Sequence, residues 1–302
     1  MKAKFYLFVF TTLMVGSILT LNYSLFAQEV RKPQKITSEE TSGFKLKYGS
    51  GLTTRYIWRG LDLARSPALL PYGAATFYNF EISLYGIFGL FENAAKHPDF
   101  VKPQFPDEVN PFYLQRIAFN QIITNLFYRI KAGFGDIRIG ITDYYFPDGL
   151  VKEVEVDSNG VETITYLPST WLNWEDNGEG AHTIEINLKF EGNKKFPMWF
   201  LAAYNVYNDQ NNSLYLETGY TFNVLLNKLS LYLGSAIGAS SWYQFNFKDG
   251  VFRGEYMTSF GLTFSREIYL EDWLVIDFAL SDVINFYHER NTILFTTTLK
   301  IE

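Results

Sequence analysis

From Phe44 onward, apolar and polar side chains alternate with a period of two, the signature of a strand with two unlike faces and not of a helix. In the first run Phe44, Leu46, Tyr48, Leu52, Tyr56 and Trp58 share one face, and Lys45, Lys47, Thr53, Arg55 and Arg59 the other. Later runs repeat the pattern: Phe80, Ile82, Leu84 and Phe88 against Glu81 and Ser83, then Ile122, Leu126, Tyr128 and Ile130 against Gln121, Asn125, Arg129 and Lys131. Ile184, Ile186, Leu188 and Phe190 oppose Glu185, Asn187 and Lys189; Leu214, Leu216, Tyr220 and Phe222 oppose Tyr215, Glu217 and Gly219; Leu274, Ile276, Phe278 and Leu280 oppose Asp277. Twelve runs result, near 44–59, 69–78, 80–91, 118–131, 136–146, 182–190, 197–207, 213–222, 229–240, 255–265, 273–282 and 291–301.

The segments between runs alternate in length. Short turns fall at Asn79, 132–135, 191–196, 223–228 and 266–272, and mostly longer loops at 60–68, 92–117, 147–181, 241–254 and 283–290. An even strand number with this asymmetry predicts an all-β fold over residues 42–302: a single closed antiparallel transmembrane β-barrel of about twelve strands, with up-and-down topology. A soluble sandwich with its charged face in water satisfies the alternation too. Strand parity and loop asymmetry favour the barrel, whose wet lumen hydrates Lys and Glu side chains that would cost several kcal/mol each in a dry core.

Composition agrees with strands. Aromatic residues make up 18% of the chain, with 28 Phe and 21 Tyr against 10 Pro, while the mean hydropathy is only −0.05. Large apolar side chains evenly diluted by polar ones suit a wall with one lipid face and one wet face. Lys2 and Lys4 precede an apolar stretch from Phe5 to about Leu21, followed by Leu25-Phe26-Ala27. This predicts a cleaved signal peptide over 1–27, with an uncleaved helical anchor as the alternative. Residues 28–41 lack periodicity and are expected to form a flexible periplasmic leader. The expected location is the bacterial outer membrane, with both termini in the periplasm and the long loops outside. Loss of Lys2 and Lys4 leaves 24 Lys and Arg against 32 Asp and Glu, a formal charge of −8 that argues against a nucleic-acid partner. With no cysteine there is neither N-terminal lipid attachment through Cys nor disulfide chemistry.

The stretch Thr54-Arg55-Tyr56-Ile57-Trp58-Arg59-Gly60, followed by Ser66-Pro67-Ala68 and a second strand, resembles the opening of the TorF-like porin family. Tyr144-Tyr145-Phe146-Pro147 is similar to that family's aromatic-Pro strand end, and Glu185 opens a matching strand. The resemblance is sharpest over residues 48–92, and 93–116 and 147–181 depart from it. It implies an outer-membrane barrel able to serve as a pore, and brings no catalytic residues.

By strand phase, Arg55, Arg59, Glu185, Glu217 and Asp277 are expected to line the lumen. In a narrow barrel, mixed charge at the waist selects small hydrophilic solutes by field and size. The same groups can instead pair and plug the lumen, giving a structural or partner-binding barrel that acts through loops 92–117 and 147–181. Arg129, Lys131, Arg138, Lys45 and Lys47, offset by Asp136 and Glu81, read as a solvated periplasmic rim. Trp58, Tyr144, Tyr145, Trp199, Trp242 and Trp273 lie near strand ends and are expected in the membrane-interface girdles. Asp157, Glu162, Glu175, Asp176 and Glu179 form an acidic loop without calcium-loop spacing. The three histidines, His97, His182 and His288, sit in no hydrolase-like motif, and His182 reads as ordinary surface at a strand entrance. No enzymatic activity, cofactor or metal is expected, and an outer-membrane hydrolase is the least favoured class. The expected partners are membrane lipid and small hydrophilic solutes.

Overall fold

The computed structural model describes residues 43–64, 66–90, 120–147, 150–156, 162–168, 170–176, 180–209, 212–237, 247–248, 251–252, 257–286 and 290–301. The expected signal peptide and leader lie outside the described residues, as do loop 92–117, Trp242, Asp157, Glu179, His97 and His288.

In chain order the strands are β1 (Phe44–Thr53), β2 (Tyr56–Trp58), β3 (Leu61–Ala64), β4 (Ala68–Phe77), β5 (Phe80–Gly89), β6 (Asn120–Ala132), β7 (Gly135–Tyr145), β8 (Leu150–Val156) and β9 (Glu162–Pro168). Then come β10 (His182–Gly192), β11 (Met198–Tyr207), β12 (Leu214–Val224), β13 (Asn227–Ile237), β14 (Phe247–Lys248), β15 (Val251–Phe252), β16 (Met257–Glu271), β17 (Leu274–Asn285) and β18 (Arg290–Ile301). Twelve of them close a barrel in the order β1-β18-β17-β16-β13-β12-β11-β10-β7-β6-β5-β4. All neighbours are antiparallel, and closure is made by β1 on β18, with Tyr48 opposite Ile301 and Thr53 opposite Thr296. The remaining strands pair as separate hairpins, β2 with β3, β8 with β9 and β14 with β15.

Each of the twelve predicted runs falls on one barrel strand. The first is the exception in extent: β1 stops at Thr53, and Tyr56–Ala64 turns back on itself as the β2–β3 hairpin. Alternation that continued as far as Trp58 concealed that break. At one barrel end the connections are tight. Phe77 pairs with Phe80 and Val224 with Asn227, leaving two-residue turns at Tyr78-Asn79 and Leu225-Leu226. Their first residues have φ of 53° and 56°, the left-handed geometry that matches strand twist.

The outward face carries Leu46, Ile82, Leu126, Ile139, Ile186, Leu233 and Phe295, all between 43% and 55% exposed. Such a continuous apolar band is unfavourable in water and favourable in hydrocarbon. Side chains of the opposite phase turn inward.

Candidate functional site: a hairpin across the lumen

The first long connection does not leave the barrel; it folds into it. The Thr53 hydroxyl donates to the Arg55 carbonyl at 2.7 Å, and the Thr54 amide donates to Phe295 on β18 at 2.9 Å, turning the chain inward at the wall. Trp58 then pairs with Leu61, so Arg59 and Gly60 form a two-residue turn. Both have positive φ, 51° and 80°, as a type I′ turn requires. A left-handed Arg costs about 1–2 kcal/mol, so the surroundings must hold it there. Gly60 is needed for space as well, because a Cβ there would overlap the Ser259 side chain on β16.

Trp58, Leu61 and Leu63 are buried in one cluster with Ile87 of β5, Tyr144 of β7, Ala203 of β11, Tyr215 of β12 and Ala236 of β13. Each large apolar side chain removed from water in this way contributes about 1.5–3 kcal/mol. On the other side of the tip the Asn285 amide of β17 donates to the Gly60 carbonyl at 2.9 Å. The hairpin is rooted between β1 and β4 and touches the far side of the ring. Around it the wall is sealed. Thr53, Ala68, Ile87, Gln121, Tyr144, Glu185, Ala203, Tyr215, Ala236, Ser259, Asn285 and Thr292, one inward residue from each barrel strand, are all at most 9% exposed.

Arg59 forms the polar centre of this plug. Its two terminal nitrogens donate to the two oxygens of Glu185 at 2.6 and 2.8 Å, with the side chains only 8% and 1% exposed. The Tyr144 hydroxyl donates to the same carboxylate at 3.1 Å. The guanidinium lies 4.6 Å from the Trp58 ring centre and 4.5 Å from that of Tyr215, a cation held between two aromatic faces. A planar fork meeting a carboxylate this way is strong and directional, and lysine cannot copy it. Tyr215 also donates to Glu217 at 2.8 Å, and the Trp199 indole donates to that carboxylate at 3.2 Å. Desolvation inside the plug raises the Tyr56 phenol well above its usual range, with the Arg59 charge pulling it back only in part.

Next to the plug, hydrogen bonds cross four strands: Asn187 to Thr142 at 2.8 Å, Thr142 to Asn125 at 2.7 Å and Asn125 to Ser83 at 3.2 Å. Toward the short-turn end the lumen opens. There Lys300 meets Asp277 at 3.0 Å and Glu267 at 3.4 Å, with side chains 23–26% exposed. Arg138 meets Glu191 at 2.9 Å and Arg129 meets Asp136 at 3.8 Å.

The five predicted lining residues therefore separate. Arg59 and Glu185 meet directly, Glu217 joins them through Tyr215, Asp277 belongs to the ion pairs near the short turns, and half-buried Arg55 stands at the hairpin base. The girdle expectation needs correction. Trp58 sits in the plug, while Tyr144 and Trp199 bond to lumen carboxylates, because their strand phase is inward. Tyr145 points outward but is only 7% exposed, covered by His182 and Trp171. Trp273, in the turn between β16 and β17, is 53% exposed. His182 is not ordinary surface. It is 0% exposed and both ring nitrogens are engaged, so the imidazole is not available to a substrate. Tyr215, missed as a site residue, carried one usable signal: it shares the inward face of β12 with Glu217.

No protein-family model matches the chain, and no curated protein matches it. Among solved structures it is similar to OmpTdeltaL8, a loop deletion mutant of an outer membrane protein of Vibrio cholerae, at 8% identity and TM-score 0.37, over 86% of this chain and 99% of that one. It is similar to an outer membrane channel from Pseudomonas putida F1 at 10% identity and TM-score 0.35, over 85% and 93%. An anion-selective porin from Comamonas acidovorans shares 9% identity at TM-score 0.28, over 85% and 98%. Likeness this distant decides nothing about function, which rests on the site.

Proposed function

We propose that this protein is an outer-membrane barrel held closed by its own first long connection, and that small hydrophilic solutes pass only when the β2–β3 hairpin leaves the lumen. The observation that carries this reading is the bidentate Arg59–Glu185 pair, closed over by the apolar cluster of Trp58, Leu61 and Leu63. The exposed apolar band supports the membrane setting. The open, charged vestibule at the short-turn end supports solute entry as far as the plug. A freely open pore with a fixed field fits the sealed ring less well. In this reading residues 1–27 are removed on export, 28–41 lead into β1, both termini lie in the periplasm, and the Arg59-Gly60 step, part of the stretch that resembles TorF-like porins, forms the plug tip.

The test is single-channel recording in a planar bilayer. Residues 28–302 are compared with the same chain carrying a short Gly-Ser linker in place of 55–65. The full chain is expected to be silent or to open rarely, and the linker variant to conduct in steady steps. Equal, steady conductance from both would overturn the plug.

A further inference from the structure

Outward positions midway along β7 and β10 are open to the surroundings, with Ile141 49% and Ile186 48% exposed. At the end with the long connections the same face is covered. There Tyr145 and His182, paired across the two strands, are 7% and 0% exposed. Segment 170–176 supplies the cover. The Trp174 ring lies flat on the His182 imidazole at 3.7 Å and 7°, Tyr145 stacks at 4.8 Å, and Trp171 stands edge-on to both rings.

Both ring nitrogens of His182 are matched inside this box. Nε2 of His182 lies 3.0 Å from the Trp171 carbonyl, and Nδ1 lies 3.0 Å from each carboxylate oxygen of Asp143. A carbonyl only accepts, so Nε2 is the donor to Trp171. The segment is pinned from β11 too. Tyr207 donates to the Trp174 carbonyl, the Asn208 amide donates to Asp176 at 2.8 Å, and the Asn208 side chain donates to the carbonyls of Gly180 and His182. A buried imidazole with both nitrogens engaged, beside an Asp143 side chain that is 19% exposed, tolerates an apolar exterior.

The cover is itself apolar and open on its outer side. Trp171 is 48%, Leu172 83% and Trp174 45% exposed, followed by the exposed acids Glu175 and Asp176. We infer that Trp171–Leu172–Trp174 is a membrane foot, seated at the boundary between headgroups and acyl chains. It would replace, in this sector, the interface ring that the strand residues Tyr145 and His182 do not provide. Continuity with the Ile141 and Ile186 band selects lipid as the occupant, and indole with an adjoining acidic edge suits a boundary apolar on one side and wet on the other. The inference rests on the membrane-barrel reading proposed above.

The chain has no cysteine, so a single engineered one labels one place only. Leu172→Cys and, as the band reference, Ile186→Cys are each labelled with an environment-sensitive fluorophore in phosphatidylcholine–phosphatidylglycerol vesicles. Those vesicles contain lipid spin-labelled either near the headgroup or near the bilayer centre. The foot predicts loss of Leu172→Cys fluorescence chiefly with the headgroup-proximal quencher, and of Ile186→Cys fluorescence chiefly with the central one. Quenching at 186 with none at 172, whether 172 faces water or a second protein, overturns the foot and leaves the membrane barrel standing. Quenching at neither position overturns both.

Discussion

Arg59, at the tip of a hairpin rooted between β1 and β4, grips both oxygens of Glu185 on β10, on the far side of the barrel ring, at 2.6 and 2.8 Å. The pair joins a connection that strand counting places outside the barrel to the wall it crosses. Removing one partner of a buried pair leaves the other charge uncompensated and costs about 3–5 kcal/mol, whereas a well-packed apolar pair in its place is often no less stable. The ion pair is therefore better suited to specifying where the hairpin sits than to adding stability.

Glu185→Gln keeps the shape and removes the charge, so the plug should leave the lumen more often. Arg59→Lys keeps the charge and loses the fork. Single-channel recording is expected to rank opening frequency as Glu185→Gln above Arg59→Lys above the unmodified chain. Equal frequencies would show that the pair does not hold the plug.

Gly60→Ala brings a Cβ into the Ser259 side chain and places a side chain at φ 80°. Opening should become more frequent. Adding Ser259→Gly relieves the overlap but not the backbone strain, so the double variant should recover part of the closed time and not all of it.

Trp199 lies across Gly219 on the neighbouring strand, where a Cβ would overlap the indole. Gly219→Val should displace the ring from Glu217 and destabilise the wall by about 1–3 kcal/mol, as other overpacked sites do. Urea unfolding in detergent, followed by tryptophan fluorescence, measures the loss.

In the variant whose hairpin is replaced by a linker, Glu217→Lys reverses one charge on the exposed lumen wall. Reversal potentials under a salt gradient should shift toward anion preference. An unchanged reversal potential would place Glu217 away from the conduction path.

His182→Ala removes the ring between Trp174 and Tyr145 and leaves Asp143 facing an empty site. Hydrogen exchange over 170–181 should accelerate, with little change in β16–β18 on the other side of the ring. Unaltered exchange over 170–181 would show that the box does not hold the segment.

The alternation of side chains determined the strands and their faces, and the even strand number with its unequal connections pointed to the barrel. A period of two assigns every residue of a strand to one face or the other, so the twelve strands, the outward Ile and Leu band, and the inward phase of Glu185, Glu217 and Asp277 were legible from Phe44 to Ile301. That logic depends only on neighbours along the chain. It does not say how deep a residue sits, what it meets across the lumen, or which way a connection folds. Arg59 was assigned to the lumen by strand phase and does reach it, but from a hairpin tip. Phase also placed Trp58 on the lipid face, whereas the Arg59-Gly60 turn carries it inside. His182 shows the same limit from the outer wall. Its outward position follows from Glu185 pointing in, yet its burial depends on Trp171 and Trp174 arriving from a loop with no periodic pattern. Pairing across the lumen and covering by a loop are contacts between distant parts of the chain, and only closure of the barrel brings those parts within reach.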